Sequence, residues 1–305
     1  SGPYAREIDS VGLLTQQIFN GLAVGSIYAL FAIGFALILA RMKILNVAHG
    51  TFATWGALSA FWLVVQGGMN FWVAAVSGVA FAGLLGVLSE LLAFGPLRKR
   101  NAGTFAPIIA SIGIWIVLLN VAEGFIGPTT RSFPIEAVPS TPLRIGGIVM
   151  LPAHILSITA LILVVTAVHL LLSRSRFGAA VRAVSVDSRS AAIVGVNPRR
   201  TLLAVAFIAA GVAGLAGVLS ALADNNVSFG LGEALLLKGF AAVVVGGYGD
   251  IRGAAAVGVV IGVLEVLSSQ YISSDFRDAI TFGILLLVLV TRPQGLFSER
   301  QLVRA

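Results

Sequence analysis

The sequence has no cysteine, which excludes disulfides, thiol chemistry and cysteine-based metal sites. Charge is scarce as well. Only 11% of the 305 residues are Asp, Glu, Lys or Arg, against about 25% in a soluble domain. The three histidines, His49, His154 and His169, are too far apart in sequence to form a metal-site pattern. No GxxxxGK[ST] phosphate loop and no HExxH occurs, and the Gly-rich run at 247–253 has the wrong spacing for GxGxxG. The chain is therefore not expected to hydrolyse ATP, to hold a cofactor or metal of its own, or to act as an enzyme. A signal peptide is not apparent, since the polar first ten residues include Arg6, Glu7 and Asp9. Residues 1–3 read as a tag-cleavage scar.

What is abundant is apolar sequence. Hydrophobic residues make up 58% of the chain, and the mean hydropathy is +0.99. The expected fold class is an all-α polytopic membrane protein embedded in a lipid bilayer. The net charge of +7 lies mostly in loops between apolar runs. There it sets orientation, and it is not read as a nucleic-acid surface.

A helical crossing needs about 20 apolar residues. Residues 11–40 give the first span. Residues 44–89 are charge-free for about two spans, and Gly67-Gly68-Met69-Asn70 divides them. Further spans are expected at 104–122, 148–172, 201–223, 254–272 and 279–291, with a Pro- and Gly-rich loop at 124–147. Residues 235–247 are short for a crossing and read as a broken or re-entrant segment. Basic residues cluster at Arg41/Lys43, Arg98–Arg100, the 173–200 loop and the C-terminal tail. Placing these inside leaves the acids Glu136, Asp224, Glu233, Asp275 and Asp278 outside. The expectation is eight to ten crossings, nine if the short segment counts as one. Residues 1–10 then form an extracytoplasmic polar segment, 11–292 the membrane domain, and 293–305 a cytoplasmic tail. Glu90 and Glu123, near span ends, read as interfacial.

Four sets of residues carry candidate function. The 173–200 loop holds six arginines against one acid, Asp187. Its middle has helical character, with Ala191, Ala192 and Gly195 on one small-residue face followed by Val196 and Asn197. A short cytosolic helix of this kind suits contact with a soluble motor. Asn46, His49 and Gly50 interrupt an apolar run and are candidates for a path or gate, as are Lys238 and Glu265. An ionisable group inside a span costs about 2.5–3.5 kcal/mol on insertion scales and so faces protein or water. Gly246, Gly247, Gly249, Asp250 and Gly253 form a tight turn, read as a hinge or a packing element. Gly21/Gly25, Gly249/Gly253 and Gly258/Gly262 have helix-packing spacing.

These residues together resemble the permease subunits of ABC importers for branched-chain amino acids. ILNVAHG at 44–50 is similar to that family's INFAHG element, and GPLRKR at 95–100 to its RPLR segment. Residues 187–197 resemble its coupling loop. KGFAAVVVGGYGDIRG at 238–253, with Glu265 beyond it, resembles its Gly-rich segment, and RPQGLF at 292–297 its closing motif. Two departures, Thr51 after His-Gly and Phe94-Gly95 before the proline, bear on the substrate. The resemblance implies a multi-pass protein of the bacterial inner membrane that moves branched-chain or other hydrophobic amino acids by alternating access. It further implies a second homologous permease, two cytosolic ATPases that bind ATP and Mg, and an extracytoplasmic substrate-binding protein. Alternatives are an importer of the same class for urea, amides or small carboxylates, and an ion-coupled secondary transporter using Glu265 and Lys238.

Overall fold

The structure is a computed structural model that describes residues 3–292, except Thr104, Gly146 and Tyr248, together with 295–297. The expected tag scar at 1–3 lies outside the described residues but for Pro3. So does the tail at 293–305 but for 295–297. Helices α1 (Pro3–Met42), α2 (His49–Val65), α3 (Phe71–Ser89) and α4 (Gly95–Lys99) come first. They are followed by α5 (Phe105–Ile126), α6 (Pro152–Arg174), α7 (Arg176–Val186) and α8 (Ser188–Ile193). Then come α9 (Pro198–Ala223), α10 (Leu231–Gly246), α11 (Ile251–Tyr271) and α12 (Arg277–Thr291). A two-stranded antiparallel hairpin, β1 (Leu143–Ile145) and β2 (Ile148–Met150), precedes α6.

Polar caps set the helix ends where the sequence supplies them. Asn70 accepts from the Trp72 N–H at 2.9 Å and starts α3 just after the Gly67-Gly68 break, where Gly68 has φ +59°. Asn197 caps α9, with Pro198 in the first turn. Asp250 caps α11. The fifth span begins later than its hydrophobicity suggests, because residues 148–150 pair as β2. Between α3 and α4, residues Glu90–Phe94 form a π-turn. Pro96 follows it. A proline has no N–H and crowds the preceding turn, and a widened turn relieves both problems.

Among the described residues, six helical runs are long and apolar enough to cross a membrane: Gly12–Met42, Phe71–Lys99, Phe105–Ile126, Pro152–Arg174, Pro198–Ala223 and Ile251–Tyr271. Helices α2, α10 and α12 have 17, 16 and 15 residues. At 1.5 Å per residue they rise about 26, 24 and 22 Å, short of the ~30 Å hydrocarbon core. The 235–247 segment is thus a continuous helix that starts at Leu231 and packs on α1, α2, α11 and α12.

Helix α1 is the axis of the bundle. Its residues 27–39 are buried, and α11, α9, α6 and α10 pack around it. Small residues make this possible. At the α1–α11 crossing a Cβ on Gly262 would lie 2.2 Å from the Gly25 Cα, and one on Gly258 would lie 2.7 Å from the Ala29 Cα. Lipid tails are as apolar as leucine, so close backbone approach replaces the hydrophobic drive. Helix α9 is the second centre. It lies against α2 and α3, with Gly217 on the Ala53 carbonyl and Gly214 on Ala82. Helices α5 and α6 are peripheral and bury only three residues each.

Candidate functional site

The strongest polar feature inside the bundle joins three helices. Glu265 on α11 is 0% exposed. Its Oε1 accepts from Lys238 Nζ on α10 at 2.7 Å and from the Tyr28 hydroxyl on α1 at 3.0 Å. Lys238 Nζ also lies 3.0 Å from the Tyr28 oxygen and 5.0 Å from the Tyr28 ring centroid. A second carboxylate, Asp278 at the start of α12, stands 3.6 Å from the same ammonium. Neither charge is isolated, which is the condition for holding ions in an apolar interior. The sequence marked Lys238 and Glu265; Tyr28 and Asp278 are additions of the structure. Tyr28 sits in an ordinary apolar run and carries no sequence signal. Asp278, expected in an external loop, lies in the first turn of α12.

The second candidate lies where α1 breaks and α2 begins. Residues 43–48 are not helical, and Lys43 has φ +54°. Ser111 of α5 holds this connector, its Oγ 3.1 Å from the Val47 N–H and 3.4 Å from the Leu45 carbonyl. Asn46 is buried, and its side-chain oxygen has no hydrogen-bond partner among the described residues. His49 is fully covered, edge-on to Phe31 and Phe35 with centroids 4.9 and 5.5 Å away. Gly50 meets the start of α10, where a Cβ would lie 2.6 Å from the Gly232 carbonyl oxygen. Thr51, which stands where the resemblance leads one to expect an acid, turns its hydroxyl back to the Ala48 carbonyl at 2.7 Å. Of the three, Gly50 meets the α10 N-terminus, His49 lies among the rings of Phe31, Phe35 and Phe52, and Asn46 sits in the connector before α2. The Lys238 cluster is a separate site, also on α10.

The basic loop folds into two helices. Ser175 caps α7, accepting from Gly178 N–H at 3.0 Å. Asp187 caps α8, accepting from the Arg189 and Ser190 N–H groups at 3.0 and 3.1 Å. The Ser190 hydroxyl and these two amides hold the Asp187 carboxyl below its ordinary range. The expected small-residue face is divided. Ala191 is buried against α7 and α9, Val196 is half-buried, and Ala192, Gly195 and Asn197 are exposed. Gly195 has φ +85° with open space around it, and the Asn197 side chain caps α9. What the sequence reading missed is apolar. Val186, Ile193 and Val194 are 84%, 85% and 76% exposed. Their signal was an apolar side chain inside a strongly polar loop.

The Gly246–Gly253 turn is packed tightly. A Cβ on Gly246 would lie 2.5 Å from the Ala254 nitrogen, and one on Gly253 would lie 2.4 Å from the Gly246 oxygen. Gly247 and Gly249 have φ +116° and +88°, conformations that L side chains rarely adopt. Gly249 therefore serves the turn, and its spacing to Gly253 does not mark a helix crossing. Residues 295–297 return to this turn, with Leu296 N–H donating to the Val245 carbonyl at 2.8 Å.

Glu90 stands at the end of α3, beside the basic cluster at 98–100. It is buried and paired with Arg98 at 2.6 Å, because the π-turn swings the carboxylate toward α4.

Residues 17–289 match the family described as branched-chain amino acid transport system, permease component. The chain is 31% identical over 297 residues to the high-affinity branched-chain amino acid transport system permease protein LivH of Salmonella typhimurium, covering 93% of this chain and 95% of that one. It is 30% identical to LivH of Escherichia coli K12 and to BraD of Pseudomonas aeruginosa, with the same coverage. A chain in the solved structure of PsaBC from Streptococcus pneumoniae in complex with Fab superposes with a TM-score of 0.50 at 14% identity, over 92% of each chain. That likeness concerns the fold alone.

Proposed function

Since this chain belongs to the family of permease components of branched-chain amino acid transport systems, we propose that it moves branched-chain or similar hydrophobic amino acids inward across the bacterial inner membrane as one subunit of an ATP-driven importer. The family match along residues 17–289 carries this reading. The partners are a second homologous permease, two cytosolic ATPases and an extracytoplasmic substrate-binding protein. ATP and Mg bind to the ATPases, since this sequence has no phosphate loop. The chain crosses the membrane nine times, with α2, α10 and α12 as short crossings among the six longer ones.

Helix α8 and the residues after it are the contact with an ATPase. Exposed Ile193 and Val194 are an apolar patch in an otherwise basic arm, the kind of surface that marks a docking site. Motion of that arm reaches the bundle through Ala191, Val184 and Val181, which pack with Leu202, Val205 and the α1 residues Leu37 and Ile38. Helices α1, α10 and α11 share the Tyr28–Lys238–Glu265 cluster and so move as one body. Asn46 and His49, at the junction of α1, α2 and α10, are the gate in this reading.

The test is uptake of labelled leucine by proteoliposomes holding the full set of subunits. Uptake should need internal ATP and the binding protein, and Gly195→Arg should abolish it while the chain still inserts in the membrane; uptake at the normal rate in that variant would overturn the coupling contact. Uptake driven by an ion gradient without ATP would overturn the reading in favour of a secondary carrier. ATP-dependent uptake of labelled urea or a labelled amide, with none of leucine, would overturn the substrate.

A further inference from the structure

At the end of α1 opposite the Glu265 cluster lies a cavity of about 290 Å³. Its walls are the end of α1, the last turns of α6, the helix α7 and the turn before α11. Three guanidinium groups, Arg41, Arg182 and Arg252, converge there with His169. The lining includes one acid, Asp250, and its Oδ1 already accepts from the Arg252 and Gly253 N–H groups at 2.9 and 3.2 Å. Among the described residues none of the three arginines forms an ion pair. Arg182 is held by the Leu172 carbonyl, and Arg252 Nη2 lies 2.8 Å from His169 Nδ1. The Nε of Arg41 is buried with no hydrogen-bond partner among the described residues.

Three cations around one cavity repel one another, and an anion among them removes that repulsion. The rest of the wall indicates which anion. Val165, Val168 and Leu172 of α6 line the same cavity, and Ile162, Leu163 and Leu170 of the same helix are exposed apolar side chains. The site thus pairs a cationic end with an apolar flank at the membrane boundary, on the side where the basic loops lie.

We propose that this cavity binds the phosphate group of an acidic phospholipid from the inner leaflet. Guanidinium forks match phosphate oxygens, and the acyl chains lie along α6. A free phosphate ion shares the headgroup chemistry but lacks the apolar half. The bound phosphate joins Arg182 of α7 to Arg41 of α1 and Arg252 of α11. It thereby ties the arm that leads into α8 to the bundle.

The test is native mass spectrometry with thermal unfolding on the purified transporter in mild detergent, and it is independent of transport. The probes are phosphatidylglycerol, phosphatidylethanolamine and inorganic phosphate. Phosphatidylglycerol should remain bound and raise the Tm, and phosphatidylethanolamine should do neither. Arg41→Gln and Arg252→Gln should each weaken retention about fivefold, or about 1 kcal/mol per basic contact. Arg144→Gln, in the hairpin at the other side of the membrane, should leave it unchanged. Stabilisation by inorganic phosphate that is lost in both cavity variants would assign the site to free phosphate and overturn the lipid. Equal phosphatidylglycerol retention in wild type and both variants would overturn the site altogether. Arg252 is exposed, so its variant carries the test even if the Arg41 variant fails to assemble.

Discussion

Two buried carboxylates in this protein solve the same problem in different ways. Glu265 is paired with Lys238, 27 residues earlier on a neighbouring helix, and with Tyr28, 237 residues earlier. Glu90 is paired with Arg98 only eight residues later, across one π-turn. Glu265 is fully enclosed and Lys238 keeps 12% of its side chain exposed, whereas Arg98 keeps 35%. The first pair therefore binds tertiary structure together, and the second shapes a local helix end. If the deep pair loses Lys238, Glu265 keeps the neutral Tyr28 hydroxyl beside it but has no water to replace the cation. The pair at the edge has water.

Removing one member of the deep pair should have the largest effect. Lys238→Met leaves a buried carboxylate without its cation and should cost about 3–5 kcal/mol, seen as a large fall in Tm of the detergent-purified protein. A loss below about 1 kcal/mol would place this pair with ordinary surface bridges. The double variant Lys238→Met/Glu265→Met should recover most of that loss, because neither charge then remains to be buried. The double-mutant cycle measures the coupling directly. Glu90→Gln should come next, at about 1 kcal/mol, since Arg98 can turn to solvent. If it matches Lys238→Met, the contrast between the two pairs fails.

The smallest effect belongs to Asp187, which is fully exposed. Its carboxyl is held below the ordinary value by the Ser190 hydroxyl and two backbone amides. The sign follows from linkage. The capping contribution to α8 is complete above the unfolded carboxyl value near 3.8 and is lost as pH falls through the lowered folded value. Hydrogen exchange of the α8 amides should therefore rise, relative to the other helices, only on strong acidification. A change near neutral pH would contradict the cap.

Much of the layout was legible because the bilayer imposes simple rules. Runs near 20 apolar residues, a Gly-Gly break and the basic loops marked most of the helices and the family resemblance. Residues 187–197 were legible as a helical piece because Asp187 offers a cap and the segment is rich in alanine. The division of that segment was not legible. Whether Ala191 faces inward or outward depends on how α7 and α9, its neighbours in sequence, fold back against α8, and the local alanine-rich pattern does not encode that angle. The π-turn was hidden because its cause, Pro96, sits after a sequence that reads as plain helix. The exposure of Ile193 and Val194 was hidden for the opposite reason. Apolar residues are expected to find cover, and here the described residues leave both largely exposed.

By itself the sequence determined that this is a helical membrane protein of the permease family, with a basic face, no nucleotide loop and two ionisable residues inside apolar segments. Only the tertiary structure decided what those residues do. It brought Tyr28, Lys238 and Glu265 within 3.0 Å of one another, enclosed His49 between Phe31 and Phe35, and gathered Arg41, Arg182 and Arg252 around one cavity. The physical reason is range. Hydrophobicity and capping act within a segment and are written there. A charge buried in a bundle is satisfied only by a partner on another helix, and close glycine packing decides which helix that is.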